Sequence, residues 1–557
     1  MAHTEAFLLS FLAIHFLSLD AQMLPTSPHK PPRFVELNPL RTVEPGCAGL
    51  TTDKKYFDLV GQDGVRRFLK RSLTEAEWAI RTSDKSIIPA SCDVRAHIRN
   101  EAAAIAFVRA HTNVPVPNVV CSFDDGGRTY IIEDVVPGVQ MSDLPEEAKL
   151  KVIEEIEAHM RTIHGIKGAR MGGFCDGVPC LPYRLAQALP EGSAKIVFKP
   201  DISYELVLCH NNLAQYNVIV DPETLKINAI LDWEFAGFYL RAGSLGALRK
   251  YNEVSDVPKL LEILEDCRGD ASEVIPGPPA VRPPSPSAIT SSAPSTPPAR
   301  NPMRVEDPGC TYITFDRKYY DLTGQDGVKR FMKRSLTEAE WQIGLHTGLP
   351  IPPAYDIAAH LRNEAAAIAF VRAHTNIPVP NVVCSFDDGG RTYLIEDEVP
   401  GVSMASLPND AKAVVMQEVE VHLQTLRGVK GKNMGGFCGL PYRVLFVFPR
   451  GGAPQVKFKS DLPYELVLCH NDLSQHNILV DPETLKITAI LDWEFAGFHP
   501  KVFEGAFYKR PGASVALKQY GEVSDVPELL KMVEECASEE SKGFSLQADM
   551  TKAANAF

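Results

Sequence analysis

The run CHNDLSQHNILVD, from Cys469 to Asp481, carries His470, Asp472 and Asn477 in the spacing H-x-D-x4-N. Behind a further apolar stretch, fifteen residues after Asn477, Asp492 opens the triplet DWE. These residue types suit the transfer of a phosphoryl group from ATP. That reaction needs a carboxylate to orient the attacking hydroxyl and accept its proton, and hard oxygen donors to hold Mg2+ against the phosphates. Asp472 fits the first role. Asn477 and Asp492 fit the second, with one neutral and one anionic oxygen. His470 belongs to the same catalytic loop, as a hydrogen-bonding brace rather than a proton carrier. The competing reading is a polar turn, with Asp472 capping and Asn477 in a turn position. The joint spacing, followed by a second acidic motif, favours the phosphotransfer site.

The same motifs occur twice. NEAAAIAFVRAHTN stands at 100–113 and 363–376, SFDDGGRTY at 122–130 and 385–393, DPETLKI at 221–227 and 481–487, and LDWEFAGF at 231–238 and 491–498. The order is the same in both halves and the offset falls from 263 to 260, so the chain reads as a duplicated domain of enzyme size rather than a solenoid. Ten prolines within 276–302 leave little to build a core and read as an extended linker. The expected boundaries are a leader over 1–32, a first domain over 33–268, a linker over 269–302, a second domain over 303–540 and a tail over 541–557. The two copies could stand apart or contact each other.

The first copy reads CHNNLAQYNVIVD. His210, Asn217 and Asp232 are kept, but Asn212 stands where the second copy has Asp472. An amide cannot take a proton at neutral pH, and lost general-base help costs about 10²–10⁴ in rate. The first copy therefore reads as a degenerate, inactive site that could still bind nucleotide. It is also nine residues shorter after the metal motif: 14 residues separate Phe238 from Glu253, against 23 between Phe498 and Glu522.

The elements that must position these residues can be traced in the second copy. Val328–Arg334 reads as a strand, 357–374 as a helix stopped by Pro378 and Pro380, and 392–396 as a strand ended by Pro400-Gly401. Residues 410–427 read as an amphipathic helix with Gly428 as its stop. Leu466–Cys469 and 486–491 read as short strands bracketing the polar motifs. Strands come early and helices dominate later, which predicts an α+β fold with two lobes.

CHNDLSQHNILVD with ILDWEFAGF, and NEAAAIAFVRAHTNIPVPNVV followed by TYLIEDEVPG, together resemble the aminoglycoside phosphotransferase-like family of fungal type, related to choline kinase and more distantly to protein kinases. The resemblance implies a protein-kinase-like two-lobed fold in two tandem copies, with ATP between the lobes and magnesium at Asn477 and Asp492. It makes Glu396 to Val399 the hinge that touches adenine through backbone groups. It makes Glu364 the helix carboxylate that pairs with a phosphate-binding lysine. Lys333 is the choice for that lysine, with Lys329 and Lys318 as rivals. Lys70 answers Lys333 in the first copy, whereas Arg66 answers Lys329. No G-x-G-x-x-G loop is evident, and Gly324-Gln-Asp-Gly327 is either a turn over phosphates or a plain hairpin turn. DWE in place of DFG, and no APE motif after it, argue against a protein kinase and for a small-molecule acceptor. Asp387, Asp388 and Asp397 could form a cation-binding face for an amine, with a solvated hairpin loop as the plainer reading of Asp387 and Asp388.

A net charge of −13 argues against a nucleic-acid surface. No stretch reaches the roughly 18 apolar residues of a membrane span. The run AFLLSFLAIHFLSL at 6–19 has Glu5 before it and no Lys or Arg, so it reads as a leader in a cytoplasmic protein; the alternative is a signal peptide over 1–21 and secretion. Cys209 and Cys469 read as buried thiols, and none of the 12 cysteines forms a CxxC pair. The leading function is an ATP- and Mg2+-dependent phosphotransferase acting on a hydroxyl through the second copy. The alternative is a non-catalytic nucleotide-binding pseudokinase or scaffold.

Overall fold

A computed structural model describes residues 35–36, 43–51, 53–81, 84–88, 90, 93–175, 205–240, 301, 303–344, 347–353, 355–438, 459, 462, 464–509 and 535. The leader, the tail and, apart from Asn301, the linker lie outside the described residues. The described chain divides into two compact units, one holding nearly all of it up to Leu240 and the other nearly all of it from Asn301.

The second unit opens with a five-stranded sheet in the order Cys310–Ile313, Arg317–Thr323, Lys329–Ser335, Arg391–Asp397, Val382–Asp388. Lys329–Ser335 pairs antiparallel with Arg391–Asp397, with Lys333 opposite Leu394 and Phe331 opposite Glu396. Lys333 and Glu396 are thus diagonal neighbours on one face of the sheet. Gly327 N donates to Gly324 O at 3.1 Å, closing the turn before Lys329–Ser335 as a hairpin. The hairpin between Val382–Asp388 and Arg391–Asp397 turns on Gly389 and Gly390, both at positive φ, as a two-residue turn of matching twist requires.

Packed against this sheet is the helix Ile357–His374, with the expected bounds. Asp356 caps it, its carboxylate accepting from Ala359 N at 3.0 Å. Leu361, Ala367, Ile368 and Val371 turn into the core with Glu364 buried beside them. The helix expected at 410–427 spans Asn409–Gly428, so Gly428 is its last residue rather than the stop beyond it. A three-stranded sheet follows, Val402–Ser403, Ile478–Val480, Ile487–Ile490, and a four-stranded one, Lys430–Gly431, Leu466–Cys469, Gly497–Pro500, Gly435–Gly436. Gly497 is required where it stands, since a Cβ there would meet Gly435 O at 2.3 Å. The expected dominance of helix later in the unit is not seen among the described residues: one long helix is joined by short strands and single helical turns.

The first unit has a five-stranded sheet in the order Cys47–Leu50, Lys54–Val60, Arg66–Ser72, Arg128–Asp134, Val119–Asp125, and the helices Val94–His111 and Glu146–His164. Its smaller sheets join Leu206–Cys209 to Gly237–Leu240 and Val218–Val220 to Ile227–Ile230. No described helix of either unit is long and apolar enough to cross a membrane.

Candidate active site

Lys333 is buried, and its Nζ lies 2.6 Å from Glu364 Oε1, 2.7 Å from Asp492 Oδ1 and 3.9 Å from Glu396 Oε2. Burial and partners separate it from its rivals. Lys329, at the strand start, is exposed, and Lys318 is buried against Asp307 at 2.5 Å. Burial opposes the Lys333 charge, but Asp492, Glu364 and Glu396 outweigh it and hold its pKa well above the ordinary value. Burial pushes Glu364 up to about 7 and Glu396 up to about 8, against the pull of Lys333. Glu364 Oε2 and Glu396 Oε1 are buried with no hydrogen-bonding partner among the described residues.

The loop carrying Asp472 is held at both ends by His470. Its Nε2 is 2.8 Å from Leu491 O, and its Nδ1 accepts from Asp472 N at 3.2 Å, so one ring ties the Asp472 turn to the residue before Asp492. Burial drives its pKa down to about 4, leaving it neutral and with no proton to trade near pH 7. Asn471 sits at φ 65° and Asp492 at φ 60°, left-handed conformations that non-glycine residues adopt at a cost, here where the candidate chemistry lies. Asn477 Nδ2 donates to Asp472 O at 2.9 Å and to Asp472 Oδ2 at 3.3 Å, and Leu491 N donates to Asn477 O at 2.8 Å. The structure thus brings Asp472 together with Asn477, and Lys333 with Glu364, Glu396 and Asp492.

Oxygen donors suited to Mg2+ are present. The Asp492 side chain is 39% exposed, and Lys333 bonds only its Oδ1. Burial favours the protonated forms of Glu364 and Glu396, so Asp492 is the ionised oxygen donor that a divalent cation would meet here. Lys333 holds the Asp492 pKa below the ordinary carboxylate value, although burial pushes the other way.

Several site residues carry little signal in the sequence. Asn363, next to Glu364, donates to Glu494 O at 3.0 Å and Ala496 O at 2.9 Å and accepts from Phe437 N at 2.7 Å, pinning the loop after Asp492. Its place inside a repeated block was the available clue. Arg317 pairs with Glu494 in a buried bridge. Glu504 sends one carboxylate oxygen to His470 N and, at 3.2 Å, to Asn471 N, capping the turn before Asp472. Burial raises Glu504 to about 7. Two expectations are corrected. Asp388 is fully buried and Asp387 is bound by Arg362 at 3.0 Å and by Thr392, so neither is a solvated loop residue. Asp397 is taken by Arg330 at 3.2 Å and Asn381 at 2.8 Å, so the three aspartates do not form an open face for an amine. In the expected hinge, the Asp397 and Glu398 amides already donate to Asn381 O and Lys329 O, each at 2.9 Å.

The first unit builds the same frame. Lys70 Nζ lies 2.8 Å from Glu101 Oε2 and 3.0 Å from Asp232 Oδ1. His210 Nε2 lies 2.9 Å from Leu231 O, and its Nδ1 accepts from Asn212 N at 3.2 Å. Asn217 Nδ2 donates to Asn212 O at 2.8 Å. Asn212 itself turns its Nδ2 to Asp232 Oδ2 at 2.5 Å. Cys209 and Cys469, just before these loops, are buried thiols; burial raises Cys209 to about 12 and Cys469 well above its usual value.

Residues 455–508 match the family described as Phosphotransferase enzyme family. The chain is similar to an aminoglycoside 3'-phosphotransferase of Streptomyces fradiae, 23% identical over 192 residues, which are 30% of this chain and 66% of the relative. It is similar to another of Streptomyces ribosidificus, 24% identical over 154 residues, 24% of this chain and 58% of the relative. The chain thus spans less than two thirds of the length of these relatives. Among solved structures, it aligns with an aminoglycoside-3'-phosphotransferase of type VIII at 20% identity and TM-score 0.27, covering 40% of this chain and 85% of that one. It also aligns with aminoglycoside phosphotransferase APH(3'')-Id of Streptomyces rimosus, solved with ADP and streptomycin, at 15% identity and TM-score 0.24, covering 41% and 89%.

Proposed function

We propose that the second unit transfers the γ-phosphoryl group of ATP to a hydroxyl of a small molecule. We further propose that the two units are tandem copies of one kinase-like domain, of which the first does not catalyse transfer. The observation that carries this reading is the joint geometry of Lys333 on Glu364 and Asp492 with Asp472 held beside Asn477. The phosphotransferase match over 455–508, which spans Asp472, Asn477 and Asp492, supports it.

In this reading Lys333 meets the phosphates, kept charged and aimed by Glu364. Asp472 lies half-buried at the loop, oriented by Asn477, and accepts the proton of the acceptor hydroxyl as that oxygen bonds to phosphorus. The bond from phosphorus to the bridging oxygen breaks, and ADP leaves. Asn477 and Asp492 would hold Mg2+, which when bound supplies counter-charge to the phosphates. In the first unit Asn212 cannot accept the proton.

An ATP-consumption screen of the full chain over hydroxyl- and amine-bearing metabolites tests the reading. ADP release should appear with a hydroxyl acceptor and vanish in Asp472→Asn. ATP turnover that survives Asp472→Asn unchanged would sink it. Nucleotide binding with no turnover for any acceptor would put the pseudokinase or scaffold reading ahead.

A further inference from the structure

We propose that the first unit is closed to divalent cations and that Asn212 is the residue that closes it. The inference rests on reading the second unit as a cation-dependent nucleotide site, and it concerns how the first differs. Glu101, Asp232 and Glu234 bring carboxylate oxygens within 4.8 Å of one another, a spacing that could hold a metal ion. Ammonium groups already occupy that cluster. Lys70 Nζ reaches both Glu101 oxygens, at 2.9 and 2.8 Å, and Asp232 Oδ1 at 3.0 Å, while Lys54 Nζ reaches Glu234 at 2.7 Å.

Two carboxylate oxygens of the cluster remain: Glu234 Oε2, buried with no hydrogen-bonding partner among the described residues, and Asp232 Oδ2, to which Asn212 Nδ2 donates at 2.5 Å. Both oxygens of this aspartate are therefore bound by N–H donors. The side chain is only 24% exposed, against 39% for Asp492. In the second unit the residue at this loop position is Asp472, whose carboxylate can only repel Asp492 when both are ionised. Carboxylates at both of these positions favour a cation between the loops. An amide facing a carboxylate satisfies it and favours none. The exchange of one oxygen for an NH2 group thus removes a base and fills a metal position at once.

The test counts bound Mn2+ per full chain by electron paramagnetic resonance, with a non-hydrolysable ATP analogue present. The chain carrying Asp492→Ala should bind none tightly. Adding Asn212→Asp to it should restore one ion. Asn212→Ala, which only removes the donor, should raise Mn2+ affinity, by less than Asn212→Asp does. A tight ion retained in the Asp492→Ala chain would overturn the inference. So would failure of both Asn212 variants to gain affinity while keeping the melting temperature of the Asp492→Ala chain. If the wild-type chain binds no ion but Asn212→Asp gains one, the reading of the second unit fails and this one stands.

Discussion

The loops at Asp472 and Asn212 share a frame and differ in the partner that the side chain at that position takes. In both units a histidine ties the turn to the strand before the metal-motif aspartate, at 2.8 and 2.9 Å, and an asparagine clasps the turn's carbonyl, at 2.9 and 2.8 Å. In the second unit the Asp472 carboxylate accepts from Asn477. In the first the Asn212 amide donates to Asp232. The comparison teaches that a fold can hold the same loop geometry almost unchanged while the side chain at its turn changes from a carboxylate to an amide. The frame is secured by buried backbone partners, whereas the difference rests on one half-buried side chain.

The sharpest way to break the comparison is to exchange that side chain. Asp472→Asn should cut turnover by at least about 10²-fold while sparing nucleotide binding. Asn212→Asp should leave the first unit inactive, since restoring a base restores neither acceptor positioning nor the nine residues missing after Phe238. Turnover measured in a chain carrying both changes checks this, and robust transfer would mean that only the base was lost.

The next effect is thermal. Mg2+·ATP at about 100 times its Kd should stabilise the unit that binds it by about 2.7 kcal/mol. In a melting curve of the full chain that gain should fall on one transition only. Asp492→Ala should remove its magnesium-dependent part and Asp232→Ala should not. A smaller effect tests the shared frame. Asn363→Ala removes the partner of two carbonyls and of the Phe437 and Cys438 amides, Asn100→Ala that of two carbonyls and the Phe174 amide, and each should cost about 1–3 kcal/mol. Denaturant unfolding should find the two costs alike, and a marked inequality would mean that the frames are not equivalent.

The smallest effect is a pH dependence. Glu504 has a folded pKa of about 7 against an ordinary 4.5, so the folded state binds its proton more tightly. Its stabilising contribution is complete below about pH 4.5 and is lost as pH rises through 7. Arg427 faces it and softens the loss. Melting at pH 5 and pH 8 should show a smaller drop in Glu504→Gln than in the wild type.

Much of the frame was legible in the sequence because local signals agreed. The helix Ile357–His374 announced itself by an Ala-rich run ending short of two prolines, and the strand Leu466–Cys469 by four apolar residues before a polar turn. Lys333 was not separable from Lys329 and Lys318, because burial on a sheet depends on register and neighbours that spacing does not reveal. Glu504 was missed for a related reason. No sequence rule links a carboxylate to the amides of a turn more than thirty residues earlier. Asp387 and Asp388 misled because a hairpin rich in Asp and Gly reads as solvated, while the strands on either side carried them into the protein.

Cys209 and Cys469 give each loop a clock of its own. A thiol reagent attacks the thiolate, and these buried thiols with raised pKa values present almost none until their strands part. The rate at which each peptide gains the mass of the label therefore reports how often its own loop opens. A nucleotide seated over Asp472 should slow the labelling of Cys469 and leave Cys209 at its own pace.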